Sequence, residues 1–483
     1  MTSEVTEVIY EHIPEGWGVE KLIDCTTDGN ISYGIVQPGQ HEKDGIPIIR
    51  VNNVNNGQLV LDDVLRVSST IEEKYKRTRL EGGEVLLTLV GSTGQSFVAP
   101  PKLSGWNVPR AIAVIRPKEE IGANWINICL QSKPVQHFLD IRANTTVQKT
   151  LNLKDVRDIP IPIPPKHIKQ SIEEVAVSLA NKIELNRQIN QTLEHIAQAI
   201  FKSWFVDFEP VKAKIHAKQN GQDSATARDG GSAGNAGAIA SERAAMCTIS
   251  GKTDTELDTW LQTCTPEQRQ QLTAAALFPD ELEDSELGPI PKGWEATTFG
   301  EVSSCFDSKR VPLSKRQREQ RQGAIPYYGA TSIMDYVDEY LFDGIYLLLG
   351  EDGSVLKDDG TPFVQYIWGK SWVNNHAHVL QGKNGVSTEQ LLVFIQNTNI
   401  AAYVTGAVQL KLNQKNMKSI PLVKASEDIN QQFQAIIKPL FAKYRQCSEE
   451  IAHLISLRDA LLPKLLSGDV TLAETQLETE AVA

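Results

Sequence analysis

Apolar residues recur alternately four and three positions apart in two stretches of the chain. Each stretch predicts a long helix lying along another helix. The first runs from Lys166 to Val206, with Ile168, Ile172, Val175, Leu179, Lys182, Asn186, Ile189, Leu193, Ile196 and Ile200 on the seam. The second returns in the same register 261 positions on, with Phe433, Ile436, Leu440, Lys443, Cys447, Glu450, Leu454, Leu457 and Leu461. Both seams turn polar or weak midway, a device that fixes register and partner at some cost in stability. Two such helices in one chain can pair with each other. At about 1.5 Å per residue, roughly 35 residues make a rod of about 50 Å. Antiparallel pairing would set what precedes each helix at opposite ends of that rod.

Ahead of each helix the period changes. IPIIRV at 46–51, VLLTLV at 85–90 and AIAVIRP at 111–117 read as strands bounded by Gly, Pro and Asn turns. WINICLQSKPVQHFLDI at 125–141 reads as a helix. The closing prolines of TTVQKTLNLKDVRDIPIPIPP at 145–165 halt any strand and lead into the long helix. The second half repeats these features: IPEGW at 13–17 returns as IPKGW at 290–294, VLLTLVGSTG at 85–94 resembles IYLLLGEDGS at 345–354, and VQKTLNLKDVRDIPI at 147–161 matches VQLKLNQKNMKSIPL at 408–422. A period this long marks a duplicated domain and not a solenoid.

The predicted architecture is α+β: two α/β domains joined by two long antiparallel coiled-coil helices, with a pseudo-two-fold internal duplication. The boundaries are 1–165 for the first domain, 166–207 for the first helix, 208–287 for a flexible acidic linker with short helices, 288–424 for the second domain, 425–468 for the second helix and 469–483 for an acidic tail. Gly, Ser and Ala crowd 219–241, and a helical patch spans Thr253–Leu277, with Pro266 and Glu267 suiting a helix start.

Composition narrows the function classes. The formal charge of −12 argues at first against a nucleic-acid partner. Yet 208–287 holds 7 basic and 13 acidic residues and 425–483 holds 5 and 9, so most of the excess lies outside the globular segments. Residues 288–424 hold 14 basic and 13 acidic residues and can carry a local basic face. No apolar run is long enough to span a membrane, the acidic start MTSEVTEVIYEH lacks a signal peptide's apolar core, and the six cysteines form no CxxC pair. A reduced cytoplasmic protein is expected.

The order of these motifs resembles the specificity subunit of a type I restriction–modification enzyme, over nearly the whole length. The resemblance rests on SELGPIPKGW at 285–294, the V-Q-x-x-L-N strings at 147–152 and 408–413, the I-P-I-P and I-P-L exits into the long helices, AQAIFKSWFVDFEPV at 197–211 and LRDALLPKLLSGDV at 457–470. It implies that each globular unit is a target-recognition domain reading one half of a bipartite, asymmetric DNA site. It implies that the helices act as a ruler between the halves, and that methyltransferase subunits dock on the helices and domains. A motor-nuclease subunit would complete the restriction enzyme. S-adenosylmethionine, ATP and Mg would serve those partner subunits, with no cofactor, metal or catalytic residue in this chain.

Candidate DNA contacts follow from residue chemistry. Lys74, Lys76, Arg77 and Arg79 crowd KYKRTR, and Lys309, Arg310, Lys315, Arg316, Arg318 and Arg321 crowd SKRVPLSKRQREQRQ. Such runs are usually solvated surface, but phosphate contacts need these residues and each run falls inside a recognition-like unit. Amide-rich loops add Asn52, Asn53, Thr93, Gln95, Asn374 and Asn375, since Asn and Gln can bond the adenine edge; for any single Asn the turn-forming role ranks higher. His376 and His378 alternate on a predicted strand, with no third metal ligand nearby, and are expected to be structural or to touch DNA. The predicted helix-pair interface is Ile172, Val175, Leu179, Ile189, Leu193, Ile196 and Ile200 against Phe433, Ile436, Leu440, Leu454, Leu457 and Leu461.

Enzyme readings are weaker. GKT at 251–253 lacks the first glycine of a phosphate-binding loop, with Met246 in its place. Asp62 or Asp63 with Glu72, Glu73 and Lys74 only loosely matches a nuclease carboxylate–lysine set, and the Asn-Pro-Pro-Tyr or Asp-Pro-Pro-Tyr tetrad of amino-methyltransferases is missing. A stand-alone nuclease or methyltransferase, and a coiled-coil scaffold that does not read DNA, are the alternatives.

Overall fold

The computed structural model describes residues 13–55, 58–59, 61, 63–145, 149–225, 233–406 and 409–470. The acidic start, the end of VNNVNNG at 56–57, Asp62, the beginnings of both V-Q-x-x-L-N strings, linker residues 226–232 and the tail from 471 lie outside the described residues. The fold is α+β and divides into two compact units, Met1–Arg187 with Ser448–Ala483, and Gln188–Cys447. Each unit holds one globular domain and a share of both long helices.

The first unit is built on a four-stranded antiparallel sheet in the order Thr26–Tyr33, Ile112–Pro117, Val85–Thr88, Ser96–Val98. Its central strands are continuous apolar runs because both faces are covered. Val85, Leu87, Ala113 and Ile115 enter one core, while Leu86, Ile112 and Val114 enter another. That is the two-residue alternation of a strand with cores on either side. The stretch at 125–141 forms two helices, Ala123–Gln131 and Lys133–Arg142, and not one. Ser132 between them is extended, as a residue two before Pro134 at a new helix start can be, and Trp125 donates its indole N–H to the Pro162 carbonyl at 2.8 Å.

The second unit repeats the sheet strand for strand: Ser303–Cys305, Ala377–Gly382, Tyr346–Gly350, Val364–Ile367. It adds a second four-stranded sheet, Ile333–Val337, Gln322–Tyr328, Lys370–Val373 and Phe342–Asp343, where the first unit has the ribbon Ile46–Ile48 with Leu65–Val67. In both units a short antiparallel ribbon joins the start of the domain to the residues before its long helix. Gly18–Lys21 pairs with Pro160–Ile163, and Glu295–Thr298 with Pro421–Lys424. The prolines therefore do not prevent a strand at 160–163; a two-stranded ribbon consists of edge strands, which tolerate proline.

The long helices span Lys166–Phe201 and Glu427–Ser467. In the first unit they run antiparallel: Ile172 and Ala176 share a core with Leu461, Leu462 and Leu465, while Leu179 and Ile183 meet Leu454. In the second unit Ala197 and Phe201 share a core with Phe433, Ile436, Ile437 and Phe441. The buried stripe of the first helix differs from the predicted seam at every second position. Ile172, Leu179 and Asn186 are buried as expected, but Ala176, Ile183, Asn190 and Ala197 replace Val175, Lys182, Ile189 and Ile196. Ile196 is 41% exposed, and Val175, Ile189, Leu193 and Ile200 are half-buried. This register puts apolar Ile183 inward and leaves Lys182 in solvent, and it brings small alanines to the close approaches. On the second helix Phe433, Ile436, Leu454 and Leu461 are buried, Leu440 and Leu457 half-buried and Lys443 exposed.

The segment expected to be a flexible linker is largely helical. Glu209–Ala225, Ala233–Ser250, Asp254–Thr263 and Pro266–Leu277 are helices, the last two begun by capping boxes at Thr253 and Thr265, with Pro266 in the first turn. Low hydrophobicity hid a bundle that buries Val211, Ala245, Leu257 and Leu272 and adds one buried cation and an aromatic cluster. Lys214 donates to the carbonyls of Ala275 at 3.1 Å and Phe278 at 2.6 Å, at the end of the last helix. Phe278 stands perpendicular to Trp204 at 5.0 Å. No helix among the described residues is long and apolar enough to cross a membrane.

Candidate nucleic-acid interface

The two basic runs split into paired and free cations. In the first unit the short helix Glu73–Thr78 carries Lys74, Lys76 and Arg77 outward. Lys76 lies 3.5 Å from exposed Glu73, and among the described residues Lys74 and Arg77 have no ion pair. Arg79 is different. Its guanidinium forks onto the Glu72 carboxylate, with Nε at 2.8 Å, and reaches Glu73 at 3.1 Å. Glu72 is buried and also accepts from Asn107 at 2.9 Å; the Arg79 bonds hold its carboxyl below the usual range. Arg79 therefore closes this loop onto the domain.

The second run divides the same way. Arg310 donates to Glu351 at 2.9 Å and to the Ala377 carbonyl. Arg318 donates to Asp335 at 3.0 Å and to the Leu313 carbonyl at 2.7 Å while covering the Tyr327 ring. Arg321 pairs with Asp338 and Glu339 over the Trp372 ring. Arg310 thus ties its loop to the repeated sheet, while Arg318 and Arg321 tie theirs to the second one. Lys309, Lys315 and Arg316 stay exposed, Lys315 with only a marginal 4.0 Å pair to Glu319.

Most of the amides have local work. Buried Asn53 accepts from the Arg50 N–H and donates to the Asp63 carbonyl at 2.9 Å, shaping its turn, while Asn52 is exposed. Asn374 is buried and accepts from the His376 N–H at 2.8 Å, and Asn375 is exposed. Thr93 lies in the half-buried GSTGQ turn, and Gln95 lines a cleft beside the long helices.

His376 and His378 do not share a face. The strand begins at Ala377, so His376 lies outside the alternation, exposed and bonded to Asp352. His378 is fully buried, its Nδ1 at 2.6 Å from Asp307 and its Nε2 at 2.7 Å from the Leu412 carbonyl. Asp307 also accepts from the Val379 N–H at 3.0 Å and from Gln414 at 2.7 Å. Burial alone would push His378 down, but the Asp307 bond and charge outweigh it and raise its pKa to about 9. Burial likewise works against the Asp307 carboxylate, and the His378 and Val379 bonds overcome it, holding it at about 2. Cys305, Asp307 and His378 lie close enough to hold a metal ion, but both imidazole nitrogens are taken and Arg310 adds a positive charge 3.2 Å from Asp307. The cluster is an ion network tying the L-N string to the central sheet. Sequence reasoning missed Asp307; a histidine inside the apolar strand AHVLQG was the available signal.

Aromatic surface was missed too. Met334, Tyr336 and Tyr340 are about half exposed, and Lys370 covers the Tyr340 ring at 4.8 Å. Met334 and Tyr336 lie on the strand Ile333–Val337 of the second sheet, which the short helix carrying Lys315 and Arg316 touches, and Tyr340 lies in the stretch that follows it.

The sequence profile described as the type I restriction modification DNA specificity domain matches this chain twice, over residues 36–195 and 291–452. The HindI specificity subunit of Haemophilus influenzae is 29% identical over 460 residues, covering 88% of this chain and 94% of that protein. The MjaIX specificity subunit of Methanocaldococcus jannaschii is 22% identical over 499 residues, covering 98% of each. The crystal structure of the type I restriction-modification system S subunit from M. genitalium covers 94% of this chain and 96% of its own, with 14% identity and a TM-score of 0.43. With two copies of the specificity domain, each leading into its own long helix, the chain belongs to the type I restriction–modification DNA specificity family, as a non-catalytic DNA-specificity subunit.

Proposed function

We propose that each domain reads one half of a bipartite, asymmetric double-stranded DNA site and that the helix pair sets the spacing of the halves. The duplication carries this reading: one sheet topology occurs twice, with different loops on each copy. The second domain has an extra sheet and a different set of exposed cations, so the two half-sites should differ. Lys74, Lys76 and Arg77 in one domain, and Lys309, Lys315 and Arg316 in the other, are suited to phosphates because among the described residues only the exposed pairs of Lys76 with Glu73 and Lys315 with Glu319 compete for them. Asn52, Asn375, Tyr336 and Tyr340 are exposed as well.

Methyltransferase subunits dock on the helices and domains, and a motor-nuclease subunit completes the restriction enzyme. S-adenosylmethionine, ATP and Mg belong to those partners. Purified chain with and without the methyltransferase subunit, titrated with DNA bearing the methylated site, tests the reading. Affinity should be weak alone, strong in the complex and steeply salt-dependent. Equal affinity in both states, or DNA cleavage or methylation by the chain alone, would overturn it.

A further inference from the structure

In the first unit a cleft of about 430 Å³ opens between the GSTGQ turn and the two long helices, lined by Gln95, Ser96, Arg187, Ile455 and Arg458 among others. Arg187 is half-buried, yet its guanidinium makes no hydrogen bond or ion pair among the described residues. Burial pushes its pKa down, Glu184 partly offsets this, and the like charge of Arg458 adds to it. Arg458 is held by its own neighbour, Asp459, at 2.7 and 2.9 Å. The opposite wall carries two further open valences. Ser96 is 2% exposed, and among the described residues neither its hydroxyl nor the buried side-chain carbonyl of Gln95 has a partner.

A half-buried guanidinium without a hydrogen-bonded counter-ion is costly, and so is a buried carbonyl without a donor. One occupant relieves both only if it brings an anion and an N–H together. A DNA phosphodiester brings acceptors alone and leaves Gln95 unsatisfied. A peptide segment carrying Asp or Glu brings a carboxylate for Arg187 and backbone N–H groups for Gln95 and Ser96. We infer that this cleft is the docking pocket for an acidic peptide segment of a partner subunit. This rests on the proposed assembly with a methyltransferase subunit and names one place where that subunit is held.

The test uses the full chain co-purified with its methyltransferase subunit. Arg187→Gln removes the cation, with Arg187→Lys as the charge-retaining control and thermal melting as the check on folding. Arg187→Gln should melt at or above the wild-type temperature while assembly weakens about tenfold or more, and Arg187→Lys should recover part of it. A photo-crosslinking residue at Ile455 should label a methyltransferase peptide rich in Asp or Glu. Unchanged assembly of a folded Arg187→Gln chain would overturn the inference. So would a crosslink to DNA, with weakened DNA binding of a normally assembled complex, which would make the cleft a phosphate site. If even the wild-type chain captures no methyltransferase subunit, the assembly reading itself fails; if it does and Arg187→Gln captures as well, only the cleft falls.

Discussion

The side-chain amide of Asn186 donates a 2.8 Å hydrogen bond to the carboxylate of Glu450, joining the first long helix to the second inside the first unit. Asn186 is 3% exposed, so the amide depends on that acceptor. Lys182 reaches the same carboxylate at 3.2 Å from solvent and adds little. Glu450→Ala should therefore cost roughly 1–2 kcal/mol, the penalty of an orphaned buried amide. Lys182→Ala should cost a few tenths by comparison. Thermal unfolding of the three chains measures it; equal losses would mean that the amide is satisfied elsewhere.

Free and paired arginines should behave oppositely. Arg316→Ala should weaken DNA binding of the complex and reduce the salt slope by about one, without lowering the melting temperature. Arg318→Ala breaks the Asp335 and Leu313 bonds and should destabilise the second unit. Parallel salt titrations and melts separate the two, and a destabilised Arg316→Ala chain would contradict the assignment.

The His378–Asp307 pair should give the second unit a pH signature. A histidine raised from 6.5 to about 9 contributes stability that is complete below about pH 6.5 and is lost as pH climbs through 9. Asp307, lowered from 3.8 to about 2, contributes above about pH 4 and loses its share as pH falls through 2. His378→Gln should flatten the alkaline fall in melting temperature. An unchanged alkaline limb in the variant would show that the pair does not control it.

Exchanging residues 288–424 for those of a relative should alter one half of the methylated site and leave the other alone. Methylation mapping reads this directly. Changes in both halves would mean that the domains do not read independently.

Inserting one heptad into each helix keeps the seam and adds about 10 Å. The spacer between half-sites should then grow by up to ~3 base pairs at 3.4 Å each, with unchanged half-sites. An active variant with the original spacer would show that the helices do not set the distance.

The duplication, the central strands and both long helices were legible because each is a strong period or a repeated string. The seam was legible to within one residue. Alternating threes and fours leave two neighbouring stripes open, and Ile183 against Lys182 settles the choice only once a partner helix is present. The bundle at 208–287 was not legible, since its few buried apolar residues, such as Val211, Leu257 and Leu272, are completed by the buried Lys214 and by Trp204 from outside the segment. The basic runs showed where cations gather, but which remain free depends on carboxylates brought from elsewhere in the fold, such as Asp335 for Arg318. Only the fold could divide them.

The paired strands Gly18–Lys21 with Pro160–Ile163, and Glu295–Thr298 with Pro421–Lys424, bring each domain's first and last segments side by side. Everything between them is a closed excursion that begins and ends at one spot. Mutations accumulating in the excursion, including insertions as large as a whole extra sheet, need not propagate into the helix that follows. A lineage can thus diversify what it reads while the geometry inherited by its partners stays fixed.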